Sequence, residues 1–463
     1  MIERLKRRWS GPGGYAQVIH IAFPLILSSA TWSIQHFVDR MFLAWYSPEA
    51  IAASSPAGFL NFTLSSLFIG TAGFVSVFAA QYYGAGRFHR IGPALWQSLY
   101  FSVFGGIFLI CLIPFAPPFF KWVGHDVQVQ ALEVQYFSIL CIGGIPAIAS
   151  SAFSGFLTGL GRTWPVLWVN LIATIVNLVL DYTMIFGNWG FKEMGMGGAA
   201  MASVISVFIS ALMLGGFIFS AENNRIYHVL KGFGVEKALF FRLIRFGLPA
   251  GVQFFLDMAG FTVFILLVGR LGAVSLAATN IAFNINMLAF LPMTGAGMAV
   301  SVLVGRYLGK EDVGAARFSV YSGFHLTFVY MGTVAAAYVL IPDVFVAPFA
   351  VQARDPENFR EIYRTTVVLL RFVAAYSIFD TMNIIFASAI RGAGDTKFIM
   401  FMLLGLSFFC LVLPTYVAIE TLGMGLMTAW VIATAYVVIL GLSFYARFRG
   451  GKWQTLRVIE KRI

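Results

Sequence analysis

Residues 94–116, ALWQSLYFSVFGGIFLICLIPFA, form a run of 23 residues without one Asp, Glu, Lys or Arg. A bilayer core about 30 Å thick is crossed by a helix of roughly 20 apolar residues. Because this run has that length and ends at prolines and a lysine, it predicts a transmembrane helix.

Eleven further runs of similar character lie on either side of it. Together they predict twelve spans at about residues 15–40, 52–82, 94–116, 133–158, 164–187, 197–220, 241–269, 275–306, 317–341, 364–390, 397–418 and 424–446. The fold class predicted is therefore an all-α membrane protein with twelve transmembrane helices.

The composition of the whole chain agrees with a membrane protein and excludes a soluble one. Of the 463 residues, 59% are hydrophobic and 11% are charged, with a mean hydropathy of +0.83. Soluble domains have roughly 45–50% apolar and about 25% charged residues. The excess of Lys and Arg over Asp and Glu, 31 against 20, does not indicate nucleic acid, because the basic residues form short clusters between apolar runs.

Those basic clusters predict the orientation of the chain. If both termini are cytoplasmic, the inner segments carry 23 of the 31 Lys and Arg residues. Such a bias is typical of cytoplasmic loops and favours an even number of spans. We therefore expect an integral protein of the cell inner membrane with N and C termini in the cytoplasm, and a monomer.

The two halves of the sequence repeat each other. At a constant offset of 225 the matches are Pro24 with Pro249, Ala52-Ala53 with Ala277-Ala278, Gly70 with Gly295, and Gln81-Tyr82-Tyr83-Gly84 with Arg306-Tyr307-Leu308-Gly309. At an offset of 233, residues 159–163 match residues 392–396. Six spans per half put equivalent loops on one side, so the repeats are parallel. Transporters with such repeats bind their substrates near the midplane.

This repeat predicts the domain organisation. We expect an N-lobe at residues 1–225, a cytoplasmic linker at residues 226–245 that is rich in Lys and Arg, and a C-lobe at residues 246–463 that ends in a basic tail. The basic linker is also compatible with a contact to anionic membrane lipid.

Four carboxylates fall inside predicted spans: Asp39, Asp181, Asp257 and Asp380. An ionisable group in a span costs several kcal/mol, about +2.5–3.5 kcal/mol on insertion scales, and is a functional candidate by default. No catalytic motif or Cys/His metal spacing accompanies these acids, and the three cysteines lie in apolar runs, so we expect neither an enzyme nor a cofactor.

In the first half, the acids lie among amide and hydroxyl groups. Asn170, Thr174, Asn177 and Asp181 share one helical face, and Asp39 lies on a stripe with Gln35 and His36. If these faces meet, their oxygens suit Na⁺, with Asp39, Asn177 and Asp181 as ligands. They suit a proton equally well, because desolvation and a neighbouring like charge favour the neutral acid. A helix-capping role, or pairing of Asp39 with Arg40, is the structural alternative.

In the second half, Gln253 and Asp257 are spaced i,i+4, as are Asn280 and Asn284, while Asp380 and Asn383 are spaced i,i+3. We expect these side chains to line a cleft. Aromatic and methionine neighbours would form its apolar wall for a cationic guest. The predicted substrate contacts are Gln35, Gln253, Asn280, Asn284, Met287 and Asn383, and Asp257 and Asp380 are predicted to share in cation coupling.

Several motifs resemble those of the MATE (multidrug and toxic compound extrusion) family over essentially the whole chain. They are Pro24 followed by Val38-Asp39, Gln81-Tyr82-Tyr83-Gly84-Ala85-Gly86, residues 155–163, Asn177 to Asp181 running into Ile185-Phe186-Gly187, Gly197-Gly198-Ala199-Ala200, and residues 391–396 (RGAGDT). Their order and spacing together are specific, although no single one is decisive.

The resemblance implies a V-shaped pair of six-helix lobes that exports small organic cations by Na⁺ or H⁺ antiport. It implies a cation site at Asp39, Asn177 and Asp181; the Thr usual in span 6 corresponds to Ser203 or is absent. Asp380 matches an acid of the NorM-type branch, and Asp257 stands where that branch usually has Glu. The chain therefore resembles NorM-type members.

We expect antiport by competition between the coupling ion and the organic cation for the same acids. The alternative within this superfold is a flippase for lipids or lipid-linked saccharides. Such a flippase is expected to have basic residues in its cleft that bind a pyrophosphate. A channel is a further alternative, but the polar rings or filter segments expected of one are missing.

Overall fold

A computed structural model describes residues 8–350 and 356–460, and in these ranges the chain is helical with no β-strand. The helices of the first half are α1 (Tyr15–Tyr46), α2 (Pro48–Gly73), α3 (Val75–Gly84), α4 (Ile91–Cys111), α5 (Ala116–Val123), α6 (Val127–Ile142), α7 (Gly144–Gly159), α8 (Trp164–Phe186), α9 (Met196–Ile218) and α10 (Ala221–Tyr227).

The helices of the second half are α11 (Lys237–Gly269), α12 (Ala273–Gly309), α13 (Val313–Leu340), α14 (Pro342–Ala350), α15 (Pro356–Ala393), α16 (Thr396–Leu406), α17 (Leu413–Tyr416) and α18 (Leu426–Arg449). Short 3₁₀ turns lie at Phe88–Arg90, Ile113–Phe115, Asn188–Gly190 and Lys452–Thr455, and π-helical segments at Ser407–Val412 and Val417–Thr421.

The helices account for the predicted spans. In the described residues, 11 helices are long and apolar enough to cross a membrane, and α6 with α7 forms a further span bent by 48°. That pair covers the predicted fourth span, and α16, α17 and the π-helical segments together cover the eleventh. The predicted all-α membrane fold with twelve spans is therefore confirmed.

Local sequence explains where these helices begin and end. α2 starts with Pro48 in its first turn, and the Ser47 hydroxyl accepts a hydrogen bond from the Ala50 N–H. Proline suits a first turn because it lacks an N–H that would have no partner there. α8 ends at Gly187, whose φ of +70° closes the helix in the left-handed conformation.

Contacts divide the chain into two compact units. Among the described residues, the first unit contains Pro24–Phe255, Gly309–Glu311 and residues 458–460, and the second contains residues 8–23, Leu256–Leu308, 312–350 and 356–457. Two boundaries between them fall inside helices that hold a repeat-related proline, α1 with Pro24 and α11 with Pro249. An internal proline removes a backbone hydrogen bond and favours a kink.

Within the first unit, the start of α11 packs closely on α2. The backbone of Gly251 approaches that of Gly70, and a Cβ added at Gly251 would lie 2.1 Å from the carbonyl oxygen of Leu67. Only residues without a side chain allow helices to pack this closely. The contact explains why residues up to Phe255 belong to the first unit although α11 continues into the second.

Candidate functional site

The candidate site of the first unit lies between α1 and α8. Asp39 comes from α1, and Asn177 and Asp181 come from successive turns of α8. All three are buried, with Asp39 6% exposed and the other two fully inaccessible. The carboxyl groups of Asp39 and Asp181 lie within hydrogen-bonding reach of each other. The structure thus brings together the three side chains expected to hold a cation.

Most polar atoms of this group have no hydrogen-bond partner. Among the described residues, Asp39 Oδ1, both carboxylate oxygens of Asp181 and both amide atoms of Asn177 are buried and unpaired in this sense. A buried polar atom left unpaired costs roughly 1–3 kcal/mol. Two facing buried carboxylates are also incompatible with two uncompensated charges. The arrangement is one that a bound cation or proton would stabilise.

Neighbouring polar residues tie α1 to α8. Thr174 donates a hydrogen bond to Gln35 at 3.4 Å, and Asn170 donates one to the Ser28 hydroxyl at 2.5 Å. The first bond lies one to two turns from the acids and the second three turns from them, on the same helix faces. They fix the register in which α1 and α8 present Asp39 and Asp181 to each other.

The basic neighbours of Asp39 lie toward the outside of the helix. His36 Nδ1 is 4.0 Å from Asp39 Oδ2, and half of the His36 side chain is exposed. Arg40 is exposed, and its guanidinium carbon lies 5.6 Å from the centre of the Phe59 ring. The predicted alternative, a direct Asp39–Arg40 ion pair, does not occur; Arg40 influences Asp39 through its electrostatic field.

Tyr136 on α6 is a member of this site that sequence reasoning missed. Its side chain is buried and close enough to interact electrostatically with both Asp39 and Asp181. A buried tyrosine hydroxyl normally finds a polar partner. That rule is the signal that could have pointed to Tyr136, but 17 tyrosines in the chain leave the choice open without a structure.

The second unit has its own acidic cluster, in which Asp380 is the central residue. Asp380 is 8% exposed and accepts a hydrogen bond from the Asn383 amide at 3.2 Å. One turn earlier on α15, the Tyr376 hydroxyl accepts a bond from Asn286 of α12 at 3.4 Å. The predicted i,i+3 pairing of Asp380 with Asn383 is thus a direct contact.

Asp257 belongs to the same neighbourhood. It interacts electrostatically with Arg391, and the buried Tyr436 interacts with both Asp257 and Asp380. The Tyr436 hydroxyl is itself 2.9 Å from the Ser407 hydroxyl. Asp257 and Asp380 thus both lie near enough to Tyr436 to interact with it, and Arg391 interacts with Asp257; neither Tyr436 nor Arg391 was predicted as a site residue.

The remaining predicted contact residues are more scattered. Gln253 is buried, with its side-chain oxygen unpaired, and it belongs to the first unit by its contacts. Asn280, Asn284 and Met287 of α12 are exposed, and the Asn284 amide donates to the Asn280 carbonyl. No group of three or more His, Cys, Asp or Glu side chains that could hold a metal ion occurs in residues 8–350 and 356–460.

Known proteins show clear similarity to the chain. The MatE family model matches residues 24–183 and 249–417, one stretch in each half. A probable multidrug resistance protein NorM of Thermotoga maritima is 25% identical over 448 residues, which cover 96% of this chain and 94% of that protein. The Pseudomonas putida protein of the same name is 28% identical over 456 residues, covering 96% and 95%.

Solved structures show the same fold. A transporter of the MOP superfamily from Pyrococcus furiosus superposes with a TM-score of 0.86 at 17% identity, covering 95% of this chain and 97% of that one. An outward-facing multidrug resistance transporter of the same superfamily gives a TM-score of 0.85 at 17% identity, covering 95% and 96%.

Proposed function

Because the chain belongs to the MatE family, we propose that it is a secondary transporter that exports small organic cations in exchange for Na⁺ or H⁺. The family is one of multidrug transporters of the NorM type, not of enzymes. Multidrug efflux follows from that membership. The antiport mechanism, the coupling ion and the cationic substrates are our proposal.

One observation carries this proposal: a pair of buried, facing carboxylates beside an asparagine whose polar atoms are unpaired. Carboxylate and amide oxygens are the ligands that a hard cation such as Na⁺ prefers. The same pair can instead hold a proton between its oxygens. In both cases the bound ion neutralises the negative charge of the site. An organic cation is then no longer attracted, so the ion and the organic cation bind in turn and not together.

In the proposed cycle, Asp39 and Asp181 load the coupling ion when they face the outside and thereby release the organic cation. When the site faces the cytoplasm the ion leaves, and the restored negative charge attracts the next organic cation. Asp257 and Asp380 carry part of the coupling in the second unit. Gln35, Gln253, Asn280, Asn284, Met287 and Asn383 are proposed as contacts for the organic part of the substrate.

Several wider expectations stay predictions alongside this function. They are the location in the cell inner membrane, the cytoplasmic termini, the monomeric state, the membrane-lipid contacts, and the lobe boundaries at residues 1–225, 226–245 and 246–463. The apolar spans and the family support an integral membrane protein.

The flippase alternative demands basic groups for a pyrophosphate. The acidic cluster of the second unit contains one basic side chain, Arg391. The negative charge of Asp257 interacts with the positive charge of Arg391 and would weaken its attraction for a pyrophosphate. The Pyrococcus furiosus transporter of similar fold has been described as having a binding pocket of reverse polarity, suggesting a different function. Because acids predominate in both clusters here, we favour cation export.

Proteoliposomes provide the test. Purified protein is reconstituted, a fluorescent organic cation such as ethidium is loaded, and either a Na⁺ or a pH gradient is imposed. We expect Asp39→Asn and Asp181→Asn each to abolish gradient-driven efflux while the protein remains folded, because one carboxylate is lost from the pair.

The matched control is Asp126→Asn, which changes an exposed acid at the start of α6 that caps the Gln128 N–H. Asparagine caps helices as well as aspartate does, so efflux should be unaffected. Efflux by Asp39→Asn at the wild-type rate under both gradients would refute the role of the pair.

A further inference from the structure

The motif Gln81–Gly86 and the following Arg87 form the last turn of α3 and the start of its connection to α4; they take no part in the acidic clusters, yet they make several contacts with another part of the chain. They lie where α3 ends, next to the 3₁₀ turn Phe88–Arg90. The chain segment they contact is Val458–Glu460, which follows α18 and belongs to the first unit by its contacts. We call these three residues the tail segment.

The Glu460 carboxylate of the tail segment lies among three arginines. Arg90 is 3.5 Å and Arg87 is 3.8 Å from its oxygens, and Arg242 of α11 makes a third ion pair. The Tyr82 hydroxyl donates to the same carboxylate at 2.8 Å. Arg87 also donates to the Glu460 main-chain carbonyl at 3.1 Å, so the pocket recognises both the side chain and the backbone.

The other end of the tail segment is held by backbone and apolar contacts. The Val458 N–H donates to the side-chain oxygen of Gln81 at 2.9 Å. Val458 is 1% exposed and is part of the core of the first unit, which also contains Tyr82, Ile91 and Leu243. Gln81 and Tyr82 are themselves fully buried. The pocket therefore accommodates two apolar residues, Val458 and Ile459, followed by an acid.

From this geometry we infer that the tail segment is a releasable latch: Glu460 docks it on the first unit, and it detaches during turnover without unfolding of the protein. Its attachment rests on the buried Val458, the partly buried Ile459, three hydrogen bonds, and ion pairs whose side chains are 22–34% exposed. Water and salt still reach these partly exposed ion pairs and compete for them, so each pair contributes only modestly. Docking is thus weak compared with folding of the unit.

Release during turnover rests on the proposed transport cycle. The tail segment continues from α18, which belongs to the second unit, through residues 450–457. A cycle in which the units move pulls on this connection, and the weak docking contact is the part that can open.

Cysteine labelling tests the latch. The native Cys111, Cys141 and Cys410 are replaced by serine or alanine, Val458→Cys is introduced, and labelling by a membrane-permeant maleimide is measured in sealed vesicles. We expect slow labelling at rest, labelling at least 10-fold faster when Glu460→Gln is added, and faster labelling of the parent when an ion gradient and ethidium drive turnover. The melting temperature of the Glu460→Gln protein should stay within a few degrees of the parent.

The control is Lys452→Gln, which removes a charge from an exposed position six residues before the tail segment. It should leave the labelling rate of Val458→Cys unchanged. Equal labelling with and without Glu460→Gln would overturn docking by Glu460, and labelling that does not change during measured efflux would overturn release. If no efflux occurs under any gradient, the proposed transport function is wrong, and so is release of the tail segment during turnover. Labelling with and without Glu460→Gln in the absence of a gradient still tests whether Glu460 docks the segment.

Discussion

Asn177 is the residue that best separates a cation ligand from a structural polar residue. Its amide is buried and unpaired, so replacing it with leucine removes no hydrogen bond from the ion-free protein. We expect Asn177→Leu to leave the melting temperature of ion-free protein unchanged or higher. The half-saturating ion concentration for efflux should rise roughly 10- to 100-fold, since bonds to charged groups are worth about 1.5–3 kcal/mol.

Thermal melting with and without the coupling ion, together with efflux titrations, measures both effects. Asn223→Leu is the contrasting variant, because its side chain accepts a bond from Arg162 and donates one to the Phe217 carbonyl. It should lower the melting temperature without shifting ion affinity. A fall in the ion-free melting temperature of Asn177→Leu as large as that of Asn223→Leu would show that Asn177 is structural.

Glu460 gives a prediction about pH. Burial alone would raise its pKa, but the backbone bond, the Tyr82 hydroxyl and the charges of Arg242 and Arg90 outweigh burial and lower the pKa below its ordinary value of 4.5. A lowered pKa in the docked state means that docking is at full strength above pH 4.5 and is lost as the pH falls through the lowered value. The rate of Val458→Cys labelling, divided at each pH by the rate for a free cysteine, should therefore be constant from pH 8 to 5 and rise only at more acidic pH.

A rise in labelling already between pH 7 and 5 would contradict this assignment. It would mean that some group other than Glu460 controls the docking of the tail segment.

Sequence reasoning found the acids of the site but not their surroundings. Asp39, Asp181 and Asp380 were identifiable because charged residues inside apolar runs are rare. Tyr136 and Tyr436 were not, because their importance depends on which helices pack together, and an aromatic residue in an apolar run carries no such information. Likewise, Arg40 next to Asp39 suggested an ion pair that helix geometry does not form.

At the scale of helices, the contact between α2 and α11 should be intolerant of side chains. A Cβ at Gly251 would lie 2.1 Å from the Leu67 carbonyl oxygen and 2.3 Å from the Thr71 hydroxyl. Because the first obstacle is backbone, it cannot move aside cheaply. We expect Gly251→Ala to lower the melting temperature by several degrees, consistent with the roughly 1–3 kcal/mol typical of overpacking.

Gly332→Ala on α13 is the matched control, since nothing lies within 4 Å of a Cβ at that position. It should be neutral or slightly stabilising, because alanine favours helix more than glycine does. Equal melting temperatures for the two variants would mean that α2 and α11 do not pack as closely as described.

Helix positions were predictable from apolar length, but their internal irregularities were not. The bend between α6 and α7 occurs at Gly143 and Gly144, inside an uninterrupted apolar run. The π-helical segments flanking α17 also leave no mark in hydropathy. Gly143, Gly144 and Pro146 at the bend and Pro414 after the first π-helical segment are residue types that favour such breaks, but hydropathy alone does not record them.

At the scale of the whole molecule, the sequence repeat was the most informative signal. The two stretches matched by the family model, residues 24–183 and 249–417, are offset by the same 225 residues at their starts as Pro24 and Pro249. Each half has its own buried acids. The number of ions exchanged per substrate therefore depends on whether one acidic cluster or both load an ion in each cycle.

That number has an electrical consequence. One charge moving through 100 mV is worth about 2.3 kcal/mol, or roughly a 50-fold concentration gradient. If one ion is exchanged for one monovalent organic cation, no net charge moves. Initial efflux of such a cation from proteoliposomes should then be unchanged by a K⁺ diffusion potential of about 100 mV set with valinomycin, and it should respond only to the chemical gradient of the coupling ion.

A strong dependence on the potential would instead mean that more than one ion moves per cycle and that the acids of both units load ions. In that case Asp380→Asn should remove the potential dependence while preserving exchange. If the wild-type protein is insensitive to the potential, Asp380→Asn should leave it so and change only the affinity for the organic cation. The same measurement with a neutral substrate provides the reference, since its export must carry charge under either stoichiometry.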